Sequence, residues 1–190
     1  MTEEKMKKRY RITLFITLLA VAILCYIGYQ YYRPIAPLPF VSNDNIKITT
    51  TIDRIVVEKS KHLMTVYHNN VALKQYAVAL GFAPTGHKEQ QGDGKTPEGS
   101  YTIIYKNPNS MFHLSLKVSY PSIQDQKNAA ALGVSPGGEI MIHGLAKDFA
   151  WLGKLHARRD WTLGCIAVAN GEIEEIYPHV KVGTPIIILP

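Results

Sequence analysis

Ile12 to Tyr32 reads ITLFITLLAVAILCYIGYQYY, 21 residues without a formal charge. In helical form, at about 1.5 Å per residue, such a run spans a hydrocarbon core of about 30 Å. It therefore divides the chain into a segment suited to lipid and a remainder that must fold in water. Lys5, Lys7, Lys8, Arg9 and Arg11 precede it. Basic flanks stay on the cytoplasmic side, so residues 1–11 are expected as a cytoplasmic tail and 12–32 as a single-pass signal anchor in the cytoplasmic (inner) membrane. Tyr26, Tyr29, Tyr31 and Tyr32 gather at the far end, where an interfacial aromatic belt forms. Everything after them is expected in the periplasm or another extracytoplasmic space. A cleaved signal peptide is the alternative, but the end of the run is bulky and offers no small-x-small cleavage site. Cys25 follows Ala22-Ile23-Leu24, a poor lipidation box, and reads as a small apolar residue.

The formal charge of +6 suggests nucleic acid until its distribution is considered. Beyond Tyr32, 16 basic residues face 13 acidic ones, the balance of an ordinary soluble domain with no basic stripe for phosphates. Nucleic acid is not an expected partner. The two cysteines, Cys25 and Cys165, lie in unrelated settings, which excludes a disulfide-stapled fold. Arg33 to Asn45 (RPIAPLPFVSNDN) is rich in proline and then in turn formers, and opens a stiff stalk assigned to residues 33–50. Residues 51–190 are enough for one good core.

Within that remainder, short β-rich runs dominate. Strands are expected at Asp53–Glu58, Leu63–Tyr67, Val71–Leu80, Tyr101–Tyr105, Phe112–Val118, Glu139–His143 and Pro185–Leu189, with a hairpin turn at His68-Asn69-Asn70. Helical pattern is confined to Ser122–Leu132, Asp148–Leu155 and Glu172–Tyr177. The fold class is mainly β, a curved sheet or sandwich with a few short helices. The glycine-rich stretch from Gly81 to Gly99 lacks the Gly-Lys-Ser/Thr ending of a phosphate loop, so it reads either as the floor of a substrate groove or as a surface hairpin without chemistry.

The reactive residues concentrate in Met141-Ile142-His143-Gly144 and Asp160-Trp161-Thr162-Leu163-Gly164-Cys165-Ile166-Ala167. A histidine ending an apolar strand and a lone cysteine in a small-residue turn are the parts of a thiol nucleophile and its base. The amides of Gly164 and Cys165 are candidates to stabilise an oxyanion. A buried cysteine and a satisfied core histidine are the bland readings of the same residues. His87, His113 and His156 lack that small-residue frame, and a zinc site made from them with Cys165 matches no familiar ligand spacing. Arg158 and Arg159 are candidates to fork onto a substrate carboxylate, or simply solvated. Trp151 and Trp161 are expected to pack beneath their segment rather than stack on a ligand.

The order His-Gly, spacer, Thr-x-Gly-Cys-Ile, preceded by Pro84-x-Gly86-x-Lys88 and by Gly92-Asp93-Gly94-Lys95-Thr96-Pro97-Glu98-Gly99, resembles the YkuD-type L,D-transpeptidase catalytic domain from about Asp53 to Pro190. The resemblance implies a β-sandwich domain, residues 51–190, acting on peptidoglycan stem peptides. It puts the nucleophile at Cys165, the base at His143 and the signature Ser/Thr at Thr162, with Gly164 beside it. Substrate contacts are expected among His87, Lys88, His113, His156, Arg158 and Arg159. The acyl acceptor it implies is an amine of a second stem or of a protein, or water in hydrolysis; no metal or organic cofactor is called for. Two departures mark a variant: Leu163 stands where the family has a second histidine, and Ala167 where an arginine is frequent. A sortase would need an arginine after the cysteine, whereas Arg159 is the last one; a papain-like enzyme has Cys before His. A peptidoglycan-binding scaffold that has lost activity is the non-enzyme alternative.

Overall fold

The computed structural model describes the backbone of Glu3–Tyr32 and of Ile46–Pro190, with side chains from Tyr10 to Gly28 and from Ile46 onward. Residues 33–45 of the expected stalk (33–50), the basic side chains before Tyr10 and the tyrosine side chains after Gly28 lie outside the described residues. The end of that stalk departs from the expectation, since Ile48 is buried in the core of the domain. The chain divides into two compact units, residues 1–34 and 35–190. The first is one helix, α1 (Glu3–Tyr32). Its stretch Tyr10–Gly28 has a mean hydropathy of 2.2 and is long and apolar enough to cross a membrane.

The second unit is built on eight strands: β1 (Arg54–Glu58), β2 (Leu63–His68), β3 (Val71–Ala77), β4 (Gly99–Ser110), β5 (His113–Val118), β6 (Met141–His143), β7 (Ile166–Ala167) and β8 (Pro185–Leu189). They form a single ladder in the order β3-β2-β1-β8-β4-β5-β6-β7. The pairs β1–β8 and β6–β7 are parallel and the others antiparallel. At the β2–β3 turn Asn69 and Asn70 both take positive φ (49° and 63°). That left-handed pair matches the right-handed twist of a two-residue hairpin, and asparagine tolerates it better than most residues. Alternation then selects the core: Ile55 and Val57 of β1 and Ile186 and Ile188 of β8 face inward. They join Ile103, Leu116, Ile142 and Ile166, each such side chain stabilising the fold by about 1.5–3 kcal/mol on burial.

Two differences from the sequence expectation matter for function. The strand expected to run to Leu80 ends at Ala77 because the chain changes partner there. Ala79 N–H donates to Ala167 O (3.1 Å) and Ala167 N–H to Ala79 O (2.8 Å). The continuation of β3 thus meets β7 at the other end of the ladder, and the expected curved sheet or sandwich takes the form of one sheet curled until its edges touch. Second, β7 is only two residues long, below what periodicity can signal. Of the expected helices, α2 (Ile123–Ala131) and α3 (Asn170–Ile176) form. The third is a 3₁₀ segment, Lys147–Arg158, broken at Gly153 (φ 49°, ψ −134°).

Candidate active site

Parallel pairing of β6 with β7 sets the site. The register is Ile142 to Ile166 and His143 to Ala167. Ile142 and Ile166 point into the core, so their neighbours face the other way, and continuing the alternation puts Cys165 on the same side as Ala167 and His143. His143 and Cys165 line one cleft of about 700 Å³ with Phe112, Trp161, Thr162 and Lys88.

His143 is 3% exposed, and its Nδ1 lies 2.6 Å from the carbonyl oxygen of Gly144. A carbonyl only accepts, so Nδ1 carries the proton and Nε2 of the neutral ring keeps its lone pair. The Phe112 ring stacks on the imidazole at 4.5 Å between centroids, and Trp161 meets it edge-on at 5.8 Å. Burial among these groups lowers the His143 pKa, the Gly144 carbonyl opposing only in part. The ring is thus held neutral, in one tautomer and one plane.

The Cys165 thiol donates to the carbonyl of Glu139 (3.4 Å). Burial pushes its pKa up, against the Met141 N–H that favours the thiolate; the Glu139 carboxylate raises it further and the Lys88 ammonium lowers it. At neutral pH the resting pair is a thiol and a neutral imidazole, which requires a base to act during attack. Glu139 itself sits at φ 57°, and its side chain pairs with Lys117. Nothing in the sequence marks a glutamate for that left-handed position.

Thr162 shapes the turn that carries the thiol. Its hydroxyl donates to Cys165 O (2.8 Å) and accepts from Gly164 N–H (3.1 Å). This corrects the expectation that the Gly164 amide is available to an oxyanion, because it is committed within the turn. Gly164 itself has φ 132°, and a Cβ there would come within 2.7 Å of Lys95 O. Only glycine meets both conditions. The turn is pinned from behind by Asp160, which the sequence reading left without a role. Its carboxylate accepts from Leu80 N–H (2.7 Å) and lies 2.8 Å from His62 Nε2.

The glycine-rich loop, residues 81–99, forms one wall. Asp93 ties it together by accepting from Lys88 Nζ (2.7 Å) and from the amides of Glu89, Gln90 and Lys95. Burial alone would raise the Asp93 carboxyl, but these donors outweigh it and bring it down to about 2. Lys59 anchors the loop from below, donating to Gly86 O, Thr96 O and Glu98.

The structure does not bring together all the expected substrate contacts. Lys88 lines the cleft. His87 does not: its Nδ1 accepts from Glu98 N–H and its Nε2 faces Asp125 at 3.1 Å, so it fastens the loop to α2. His113 pairs with Glu174 on the surface. Arg158, exposed, and Arg159, half-buried, close the 3₁₀ segment outside the cleft lining. His156, on the same segment, is buried. Neither tryptophan packs as expected, since Trp151 is exposed and Trp161 opens onto the cleft beside His143. Among the described residues no three His, Cys, Asp or Glu side chains gather as a metal ion would require.

Comparison with known proteins decides the family. The model of the YkuD L,D-transpeptidase catalytic domain matches residues 52–188. The chain belongs to the YkuD L,D-transpeptidase family. Among YkuD relatives, YafK of Escherichia coli K12, whose name assigns it only provisionally to the L,D-transpeptidases, is 26% identical over 110 residues. That alignment takes in 57% of this chain but 37% of YafK, so the chain spans well under half of that relative. The fold is similar to that of the helical cell shape determining protein Pgp2 from Campylobacter jejuni, with TM-score 0.54 and 24% identity over 77% of this chain and 51% of Pgp2. It is also similar to Bd1075 of Bdellovibrio bacteriovorus, with TM-score 0.50 and 22% identity over 82% and 52% of the two chains. The matched residues take in the glycine-rich loop and the His-Gly and Gly-Cys elements.

Proposed function

We propose that this protein is a membrane-anchored cysteine L,D-transpeptidase acting on peptidoglycan tetrapeptide stems. In this reading residues 1–11 are a cytoplasmic tail, 12–32 a signal anchor and 33–50 a stalk, with the catalytic domain, 51–190, outside the membrane. The observation that carries it is the pairing of β6 with β7. It brings a thiol and a neutral imidazole, the latter with Nδ1 committed to Gly144 O, to one cleft.

His143 Nε2 takes the thiol proton as Cys165 Sγ attacks the carbonyl joining the third stem residue to the terminal D-alanine. The Cys165 amide is the remaining candidate donor of the turn for the developing oxyanion. Collapse breaks the C–N bond, the imidazolium returns its proton to the departing D-alanine amine, and a thioester remains. An amine of a second stem or of a protein resolves it in transpeptidation, and water resolves it in hydrolysis. Leu163, in place of the family's second histidine, is 76% exposed, so no imidazole approaches the thiol from that position. Loss of activity is the reading this substitution favours instead.

Intact mass after incubation with a carbapenem separates the two. Wild type is expected to gain one adduct, with Cys165→Ala gaining none and His143→Ala labelling at least about a hundredfold more slowly, the low end of what a general base contributes. Absence of an adduct on wild type, together with no turnover of a tetrapeptide, would leave the scaffold reading.

A further inference from the structure

Glu139 is the only acid among the described residues that line the cleft. The one lysine there, Lys88, is already held by Asp93 and by the carbonyl of Gln90. Glu139 takes φ 57°, a conformation that glycine adopts freely and a glutamate only at a cost, and two glycines precede it. The backbone alone therefore gives no reason for a carboxylate at this position. Its main-chain oxygen accepts from Cys165 Sγ at 3.4 Å, so the side chain branches from the residue that touches the nucleophile. The carboxylate is paired with the Lys117 ammonium. Lys117 lies opposite Met141 in the β5–β6 pair, two residues before His143, whereas Leu116 and Ile142 on the other face belong to the core. Lys117 thus shares the face of the sheet that carries the base. The Glu139 side chain is 69% exposed. An ion pair so open to solvent is worth little, and it exchanges readily for another ammonium.

We infer that Glu139 is the acceptor-binding residue of this cleft: its carboxylate holds the ammonium group of an amine acceptor beside the thioester on Cys165. The inference rests on the proposed function and selects between its two ways of resolving the acyl-enzyme. Lys117 already demonstrates that the carboxylate takes a primary ammonium in this position. The Glu139 charge also reaches the sulfur, where it works against formation of the thiolate. Once the sulfur is acylated and neutral that opposition is gone, and the carboxylate is left to attract a cation. An acceptor ammonium that replaces Lys117 loses one proton to water. Its nitrogen then attacks the thioester carbon, the C–S bond breaks, and a second N–H proton passes by way of His143 Nε2 to Cys165 Sγ. The products are an amide, a free thiol and one proton released to solvent. Water has no charge for Glu139 to hold, so the carboxylate favours aminolysis over hydrolysis.

The full chain in detergent micelles, acylated with a stem tetrapeptide, tests this with two nucleophiles. Nα-acetyl-lysine ends in an ammonium, whereas hydroxylamine is uncharged at neutral pH. Glu139→Gln keeps the size of the side chain and removes its charge. It should lower the ratio of amide to hydrolysis product with Nα-acetyl-lysine by at least about tenfold, what one hydrogen bond to a charged group is worth. Capture by hydroxylamine should stay within about threefold of wild type, a difference well below one such bond. Glu139→Gly relieves the left-handed backbone, and should show the same loss while melting no lower than wild type. A wild-type ratio in both variants would overturn the inference, as would a loss in Glu139→Gln that Glu139→Gly does not share. So would a wild-type acyl-enzyme that yields hydrolysis product alone. If Glu139→Gln instead slows acylation by a tetrapeptide with lysine at its third position and leaves the ratio unmoved, the carboxylate serves the donor stem and the acceptor role fails. Absence of acylation in wild type would overturn the proposed function. The ammonium site is then tested by carbon NMR of the Glu139 carboxylate in Cys165→Ala, which should shift with Nα-acetyl-lysine and not with its Nε-acetylated form; equal responses to the two would overturn it.

Discussion

Replacing Thr162 by valine keeps the shape of a buried side chain and removes one hydroxyl. That hydroxyl donates to Cys165 O at 2.8 Å and accepts from Gly164 N–H at 3.1 Å. Each bond contributes about 1 kcal/mol net, and each buried group left unpaired costs about 1–3 kcal/mol. The expected loss is about 2–5 kcal/mol, or roughly 6–15 °C in melting temperature for a domain of this size. The same bonds hold the turn that presents the thiol, so acylation by a carbapenem should slow as well. Thr162→Ser retains the hydroxyl and gives up only a methyl group, and should stay close to wild type in both measurements. Thermal melting and time-resolved intact mass on the three proteins are sufficient. Should Thr162→Val melt with Thr162→Ser and acylate at the wild-type rate, the turn is held by something other than this hydroxyl and the reasoning fails.

Two further expectations concern charge. Asp93→Ala leaves the buried Lys88 ammonium without its carboxylate, and breaking a buried pair from one side costs about 3–5 kcal/mol; urea unfolding should register the loss. His143 and His156 both have pKa values lowered by burial, His156 to about 4. The unfolded chain therefore binds protons first, at about pH 6.5. Their neutral burial is compatible with full stability above that pH, and stability is lost as pH falls from there toward about 4. Melting curves across this window should show the slope, and His156→Leu should reduce it; an unchanged slope would show that His156 already titrates normally.

What was legible in the sequence was what rests on local pattern. Runs rich in β-forming residues located seven of the eight strands, and the Asn69-Asn70 turn announced itself through residues that accept positive φ. The Cys165 and His143 pair was legible through the small residues around it. The rest depends on contacts between distant parts of the chain. Two-residue β7 has no period, and the partner change after Ala77 follows from the curl of the sheet rather than from the residues themselves. His87 looked like a ligand contact because a histidine in a glycine-rich loop carries no sign of the Asp125 carboxylate that holds it. Asp160 stood in plain view, but its partners His62 and Leu80 are 98 and 80 residues away. The commitment of the Gly164 amide to Thr162 was hidden in the geometry of a turn only three residues long.

The position of β8 also governs the order in which this sheet can be assembled. It is the strand furthest along the sequence, yet it lies at the centre of the ladder, parallel to β1 on one side and antiparallel to β4 on the other. Until residues 185–189 are present, β1 and β4 have no edge in common, and the link between the β3-β2-β1 and β4-β5-β6-β7 groups falls to contacts such as Ala79 with Ala167 and Leu80 with Thr162. Pairing Ile55 with Ile186 closes most of the domain in a single long-range step. A chain emerging from its N-terminus must therefore leave this sheet unfinished until β8 arrives.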